Sequence, residues 1–268
     1  MGRFATKHWN EGGGEPAEVI SSQMPEGDSI HRIALELQPL VGERVSVETP
    51  HPRARLLGLS RLGGKRIESI EAVGKHLLLR FEGGLVLRSH LDMSGRWQLL
   101  ERGQAPAGTP WLVLRGENCA AAEWRGPLLE LSRGEPSLSL GPDILAQPPD
   151  LERMIANFRG SMQECAVGEA LLDQRLLAGV GNIWRCEGLW RARLSPWRAL
   201  VEVGDDDLRR LLNEIAEAMR ESLSARRHRY SAYGRTGKPC SRCGAAIRSR
   251  AQEERARTAY WCPTCQPD

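Results

Sequence analysis

Two cysteine pairs near the C-terminus constrain this chain more than any other feature: Cys240-x2-Cys243 and, eighteen residues on, Cys262-x2-Cys265. Each pair can hook one side of a tetrahedral ion, and the spacing is that of a zinc ribbon. With sulfur at all four positions the ion keeps no open site for water or substrate, so its task is to close a fold. Thioredoxin-like redox chemistry needs one such pair in a βαβ setting and leaves the second unexplained. Seven cysteines in all would leave one unpaired in a disulfide framework, which again points to metal in a reducing compartment.

The 268 residues can bury one large core or two smaller ones; domains of about 100–150 residues are the usual size, so two are expected. Hydrophobic residues make up 41% and charged residues 26%, and no apolar run reaches the ~18–20 residues of a membrane helix. Residues 1–23 carry charges and the run Gly12-Gly13-Gly14 but no apolar stretch before a small-residue cleavage site, so they do not read as a secretory signal. A soluble, cytoplasmic protein is the expectation. The net charge of +3 hides an asymmetry: residues 226–268 hold ten Arg or Lys against three Asp or Glu, making that segment +7 and the remainder −4. A zinc tetrathiolate contributes about −2, and the tail stays basic. An anionic partner is the sharper reading and a solvated arginine-rich surface the bland one.

Along the chain, Ile30, Ile33, Ala34 and Leu37 recur at helical spacing and stop near Pro39. Residues 44–100 then change to short β-rich runs, with Gly83-Gly84 expected to form a two-residue hairpin turn. After Pro148-Pro149, Asp150 is placed to cap a helix whose stripe is Leu151, Met154, Ile155 and Phe158. A second helical run is expected over 169–177, a third from Ile183, and the longest over 205–225, where Leu208, Leu211, Leu212, Ile215, Met219 and Leu223 keep the 3.6-residue period. The fold class is therefore α+β, a β-rich half followed by a helical half and a metal hairpin.

Several separated segments together resemble the formamidopyrimidine-DNA glycosylase and endonuclease VIII family. They are Met24-Pro25-Glu26-Gly27-Asp28, Gly74-Lys75-His76, Ser89-His90-Leu91-Asp92-Met93-Ser94-Gly95, Gly141-Pro142-Asp143, the run LLDQRLLAGVGNIW at 171–184, and the cysteine hairpin itself. The PEGD start and the RTAYWCPTCQ ending lean toward the endonuclease VIII branch. The resemblance implies an N-terminal β-sandwich with flanking helices over 24–147, a helix–two-turn–helix domain over 148–229 and a zinc finger over 230–268. It also implies one structural Zn2+, damaged DNA in the cleft between the domains, and action as a monomer near the nucleoid.

The residue-by-residue implications are specific. Pro25 matches the family's nucleophile, an N-terminal proline freed by removal of the initiator methionine; an α-amine has a pKa of about 7.7–8, so a useful fraction is unprotonated at neutral pH. Glu26 matches the general acid/base, where the plain reading is an acidic residue favoured in the first turn of a helix. Lys75 matches a lysine that reaches the damaged nucleotide, against the plain reading of a surface lysine opening a strand. Asn182 and Arg257 match groups that bind phosphates around a flipped nucleotide; otherwise Asn182 caps a helix and Arg257 is solvated. His90 falls among the DNA contacts, and Met93 resembles the side chain that fills the vacated gap, with core packing as its alternative.

The sequence departs from that pattern in three places. Twenty-four residues precede Pro25, and within a longer chain its nitrogen is a tertiary amide without nucleophilicity. A native start at Met24 is expected, with 1–23 an extension lacking stable structure. The eighteen-residue gap between cysteine pairs suggests a longer hairpin tip around 251–255. The run EWRGPLLEL shows no clear match to the arginine and phenylalanine that some purine-directed members insert into the duplex, which weakens an oxidised-guanine reading. A rival from another class is a catalytically silent protein that binds lesions or abasic sites.

Overall fold

The computed structural model describes residues 25–125, 128–225, 228–252 and 257–268. The expected extension 1–23 and most of the expected hairpin tip lie outside the described residues.

The first helix, α1 (Gly27–Glu36), buries Ile30 and Ala34 and ends before Pro39. Two antiparallel four-stranded sheets follow. One is ordered β1 (Ser46–Glu48), β6 (Leu112–Arg115), β7 (Cys119–Trp124), β5 (Arg96–Glu101); the other β2 (Ile67–Val73), β3 (His76–Phe81), β4 (Leu85–His90), β8 (Leu128–Arg133). Alternating residues such as Leu77, Leu79 and Phe81 of β3 face Trp97, Leu112 and Ala121 of the other sheet in one core. The Trp97 indole N–H donates to the Ser89 hydroxyl at 3.0 Å across the two layers. The strands beyond residue 101 are less visible in sequence because β7 is built on Ala120-Ala121-Ala122, and alanine carries little strand preference away from its neighbours.

The hairpin turns differ from expectation. Phe81 pairs with Leu85, so the loop of Glu82-Gly83-Gly84 has three residues, with both glycines at positive φ. The two-residue turn is instead Gly74-Lys75, between Val73 and His76, with Gly74 at φ +58.

The helical half comprises α2 (Leu151–Arg159), α3 (Val167–Ala170), α4 (Asn182–Ala192) and α5 (Asp205–Ser224) around Phe158, Trp184, Leu211 and Ile215. Ile144 and Leu145 already belong to this second core. Asp150 caps α2, accepting from the Arg153 N–H at 3.1 Å. The run expected as helix over 169–177 is helical only as far as Ala170. Beyond it, polar side chains satisfy the backbone locally: Asp173 accepts from Arg175 N, and Gln174 bonds Gly179 N and the Val180 carbonyl. Strands β9 (Arg248–Gln252) and β10 (Arg257–Trp261) form the cysteine hairpin. Among the described residues no helix is long and apolar enough to cross a membrane.

Candidate active site and nucleic-acid interface

Pro25, half-buried, is held through its neighbours. Gly27 N donates to the Gly179 carbonyl at 2.9 Å, and a Cβ on Gly27 would stand 2.8 Å from the Gly179 Cα. Only glycine permits that approach, and Gly179 itself sits at φ +102. Glu26 precedes α1 without capping it. Its buried carboxylate turns instead to the start of α4, accepting from Gly181 N at 3.0 Å, Ile183 N at 2.8 Å and Trp184 N at 3.2 Å. It thus satisfies N–H groups that a helix leaves open at its first turn. Burial pushes the Glu26 carboxyl up to about 7, against the pull of the Lys75 ammonium and of the Ile183 and Trp184 amides. Next to it, Asp28 accepts from the Trp184 indole at 2.9 Å and from the Ser222 hydroxyl, bolting α1 to α4 and α5.

Lys75 lies in the two-residue turn rather than on the strand. Burial holds its ammonium below the usual lysine range; Arg257 pushes it the same way and Glu26 opposes. Glu26, Lys75 and Arg257, separated by up to 231 positions, therefore share one electrostatic neighbourhood. Gly74 makes this possible, since a Cβ there would stand 2.9 Å from the Ala178 Cβ.

Asn182 is the first residue of α4 and not its cap. Its amide donates to the Thr258 carbonyl at 3.0 Å, and its oxygen accepts from Arg185. Arg185, unmarked in the sequence reading, is fully buried and also reaches Gln252 Oε1 at 3.3 Å and the Arg257 carbonyl at 3.4 Å. It joins the start of α4 to both arms of the hairpin. A similar anchor is Glu187, whose carboxylate accepts from Ser231, Ala232 and Tyr233 N–H groups, each at 2.8 Å. Isolated polar residues inside a helical stripe gave no sign of these roles. Arg257 opens β10 without an ion pair among the described residues and lines a cavity of about 1000 Å³ with Ser161, Met162, Glu169 and Asp173.

At the end of the sandwich beside Lys75, the His76 and His90 rings stand 4.8 Å apart. Burial drives His76 down to about 4, and burial also lowers His90, with Lys75 and Arg88 adding to both. His90 Nδ1 accepts from Asp92 N at 3.2 Å, so that nitrogen carries no proton. The β4–β5 loop turns through Asp92 at φ +48 and Gly95, where a Cβ would stand 2.8 Å from the Leu91 Cα. Met93 at its tip is 65% exposed, so the core-packing alternative for this residue fails.

The four cysteine ligand atoms lie within 4.8 Å of one another, with the Cys243 and Cys262 sulfurs 3.4 Å apart. A tetrahedron with Zn–S bonds of about 2.3 Å has sulfur–sulfur edges of roughly 3.8 Å. Cys240, Cys243, Cys262 and Cys265 therefore fit one tetrahedral ion.

The arrangement is that of a two-domain nucleic-acid enzyme, with a carboxyl, a lysine and an arginine converging where the β-sandwich meets the helical domain. Residues 24–124 match the formamidopyrimidine-DNA glycosylase N-terminal domain, and 140–232 the formamidopyrimidine-DNA glycosylase H2TH domain. The Streptomyces coelicolor protein named "Probable endonuclease 8 2" is 35% identical over 91% of this chain and 94% of its own length. The Thermus thermophilus formamidopyrimidine-DNA glycosylase is 33% identical over 91% and 98%. Lactococcus lactis Fpg non-covalently bound to DNA containing an abasic site is a structural neighbour at TM-score 0.78 and 26% identity, over 91% of this chain and all of that one. MutM in complex with DNA containing carbocyclic 8-oxo-G gives TM-score 0.77 at 26% identity. The chain belongs to the formamidopyrimidine-DNA glycosylase and endonuclease VIII family of DNA glycosylases, the enzymes of base excision repair.

Proposed function

We propose that this protein is a bifunctional DNA glycosylase and abasic-site lyase that removes oxidised bases, pyrimidines foremost, through the amine of Pro25. The observation that carries the reading is the Glu26 carboxyl, buried beside Pro25 and titrating near neutrality. In a chain that begins at Pro25 the nitrogen is a secondary amine. It attacks C1′ of the damaged nucleotide, the bond from C1′ to the base breaks, and the base leaves with the bonding pair and takes up a proton. The amine then loses its proton and its lone pair breaks the C1′–O4′ bond, O4′ taking up a proton as the ring opens, and the iminium so formed acidifies the C2′ hydrogen. Loss of that proton expels the 3′ phosphate, and a second elimination expels the 5′ phosphate.

Glu26 in its protonated form donates to the sugar ring oxygen as the ring opens and then serves as base. Lys75 and Arg257 supply positive charge for the phosphates that flank the lesion, and Asn182 holds the start of α4 against the arginine's strand. The exposed Met93 fills the gap left by the flipped base, with His90 at the foot of its loop. One Zn2+ on the four cysteines closes the hairpin that presents Arg257. The S. coelicolor relative's name supports the endonuclease VIII branch, and the leaning toward pyrimidines is what resemblance to that branch implies. Duplexes each carrying one oxidised base test the reading: cut strands bearing phosphate at both ends are the expected product, fastest for oxidised pyrimidines. Intact strands with every lesion would leave the silent binder.

A further inference from the structure

Asp143 lies in the segment that joins the two cores, and its carboxylate touches both limbs of the site. Oδ2 accepts from Gly74 N at 2.6 Å and stands 3.1 Å from Nε2 of His31 on α1, while Oδ1 accepts from Leu145 N at 2.8 Å. Gly74 is the residue before Lys75, in a turn of only two residues. The same carboxylate lies against Gly179, where a Cβ would stand 3.6 Å from Oδ1. The Gly179 carbonyl in turn holds Gly27, two residues from Pro25. Backbone bonds complete the joint: Ala178 N to the Pro142 carbonyl at 2.8 Å and Ile144 N to the Ala178 carbonyl at 3.1 Å. With its side chain 12% exposed and both oxygens engaged by protein, Asp143 has no free face for substrate.

We propose that Asp143 is a positioning residue that holds the Gly74–Lys75 turn against the Gly179 loop and thereby fixes where the Lys75 ammonium stands relative to Pro25 and Glu26. The inference rests on the roles proposed above for those three residues. A carboxylate accepting a backbone N–H at 2.6 Å makes a charge-assisted bond, about twice as strong as a neutral one. A turn this short passes any displacement directly to its second residue. Misplacement of a reacting group by about 1 Å can cost a hundredfold in rate.

The test is single-turnover borohydride trapping on an abasic duplex, using chains that begin at Pro25: wild type, Asp143→Asn, Lys75→Ala and the double variant. Asp143→Asn is expected to slow trapping at saturating DNA by about ten- to a hundredfold while Kd stays within about threefold. The alkaline limb of its pH profile should move up, because Glu26 loses the pull of Lys75. In the Lys75→Ala background the Asn substitution should add nothing beyond about twofold, since both changes act through one group. Full multiplication of the two effects, an unmoved pH limb, or a loss confined to DNA affinity would overturn the inference. Should the Asn variant fail to fold, Asp143→Glu, which keeps the charge on a longer stem, is read by the same three criteria. Wild-type protein that does not trap would overturn the Pro25 reading and this one together; wild type that traps beside an unaffected Asp143 variant overturns this one alone.

Discussion

At Glu26, burial and helix capping pull in opposite directions, and the carboxyl settles at about 7. Acting as an acid it must be protonated, and that fraction falls as pH rises through 7. The Pro25 amine must be unprotonated, and that fraction falls as pH drops below its pKa of about 8. A bell centred between the two is expected for the trapping rate, and Glu26→Gln should lower the rate by about 10²–10⁴ and abolish the alkaline limb. Glu123 is the contrasting case: fully buried in β7, neither oxygen has a partner among the described residues, and burial raises its carboxyl from 4.5 to about 8. Its folded pKa exceeds the unfolded value, so the stability it contributes is complete below pH 4.5 and is lost as pH rises through 8. Glu123→Gln should flatten that decline, raising Tm at pH 9 relative to wild type by about 5 °C while changing little at pH 5. Neither environment was legible in sequence. The partners of Glu26 lie 155 to 158 positions away, and Glu123 follows an alanine run that carries no sign of the layer covering it.

Helices with a clean apolar stripe were the most legible elements. The stripe from Leu208 to Met219 is buried in α5 as its period requires, and Asp150 caps α2. Short, locally polar segments were the least legible. In residues 171–177 the apolar spacing is helical, yet Asp173 and Gln174 offer the backbone other partners and the chain turns instead. A two-residue turn was expected at Gly83-Gly84, whereas the tighter turn is Gly74-Lys75, whose first residue must pass against Ala178. Gly188 in the middle of α4 shows the same logic between helices, since a Cβ there would overlap Ile215 of α5. Gly188→Ala removes a glycine from a helix interior and still should destabilise by about 1–3 kcal/mol, because overpacking at the α4–α5 contact outweighs the gain in propensity. Chemical denaturation measures it, and an unchanged or higher stability would show that α5 can shift.

At the scale of the molecule, the division into a β-rich half, a helical half and a basic cysteine hairpin was legible from periodicity and cysteine spacing. The joint between halves was not, because it consists of Asp143, Gly74, Gly27 and Gly179 meeting from distant parts of the chain. Of the hairpin's basic residues, Arg257 acts on the Lys75 ammonium, and its carbonyl is held by the buried Arg185. Arg257→Ala should therefore weaken DNA binding uniformly across sequences and reduce the slope of log K against log salt by about 1. An unchanged slope would place that arginine away from phosphate. The central claim is that the amine of residue 25 forms the covalent bond to DNA. It is tested most directly by borohydride reduction of abasic DNA with three proteins: one beginning at Pro25, the same chain with Pro25→Gly, and the chain of 268 residues. The account predicts a cross-linked product from the first, a strong reduction in the second and none from the third while residues 1–24 remain attached. Equal cross-linking by all three would contradict it.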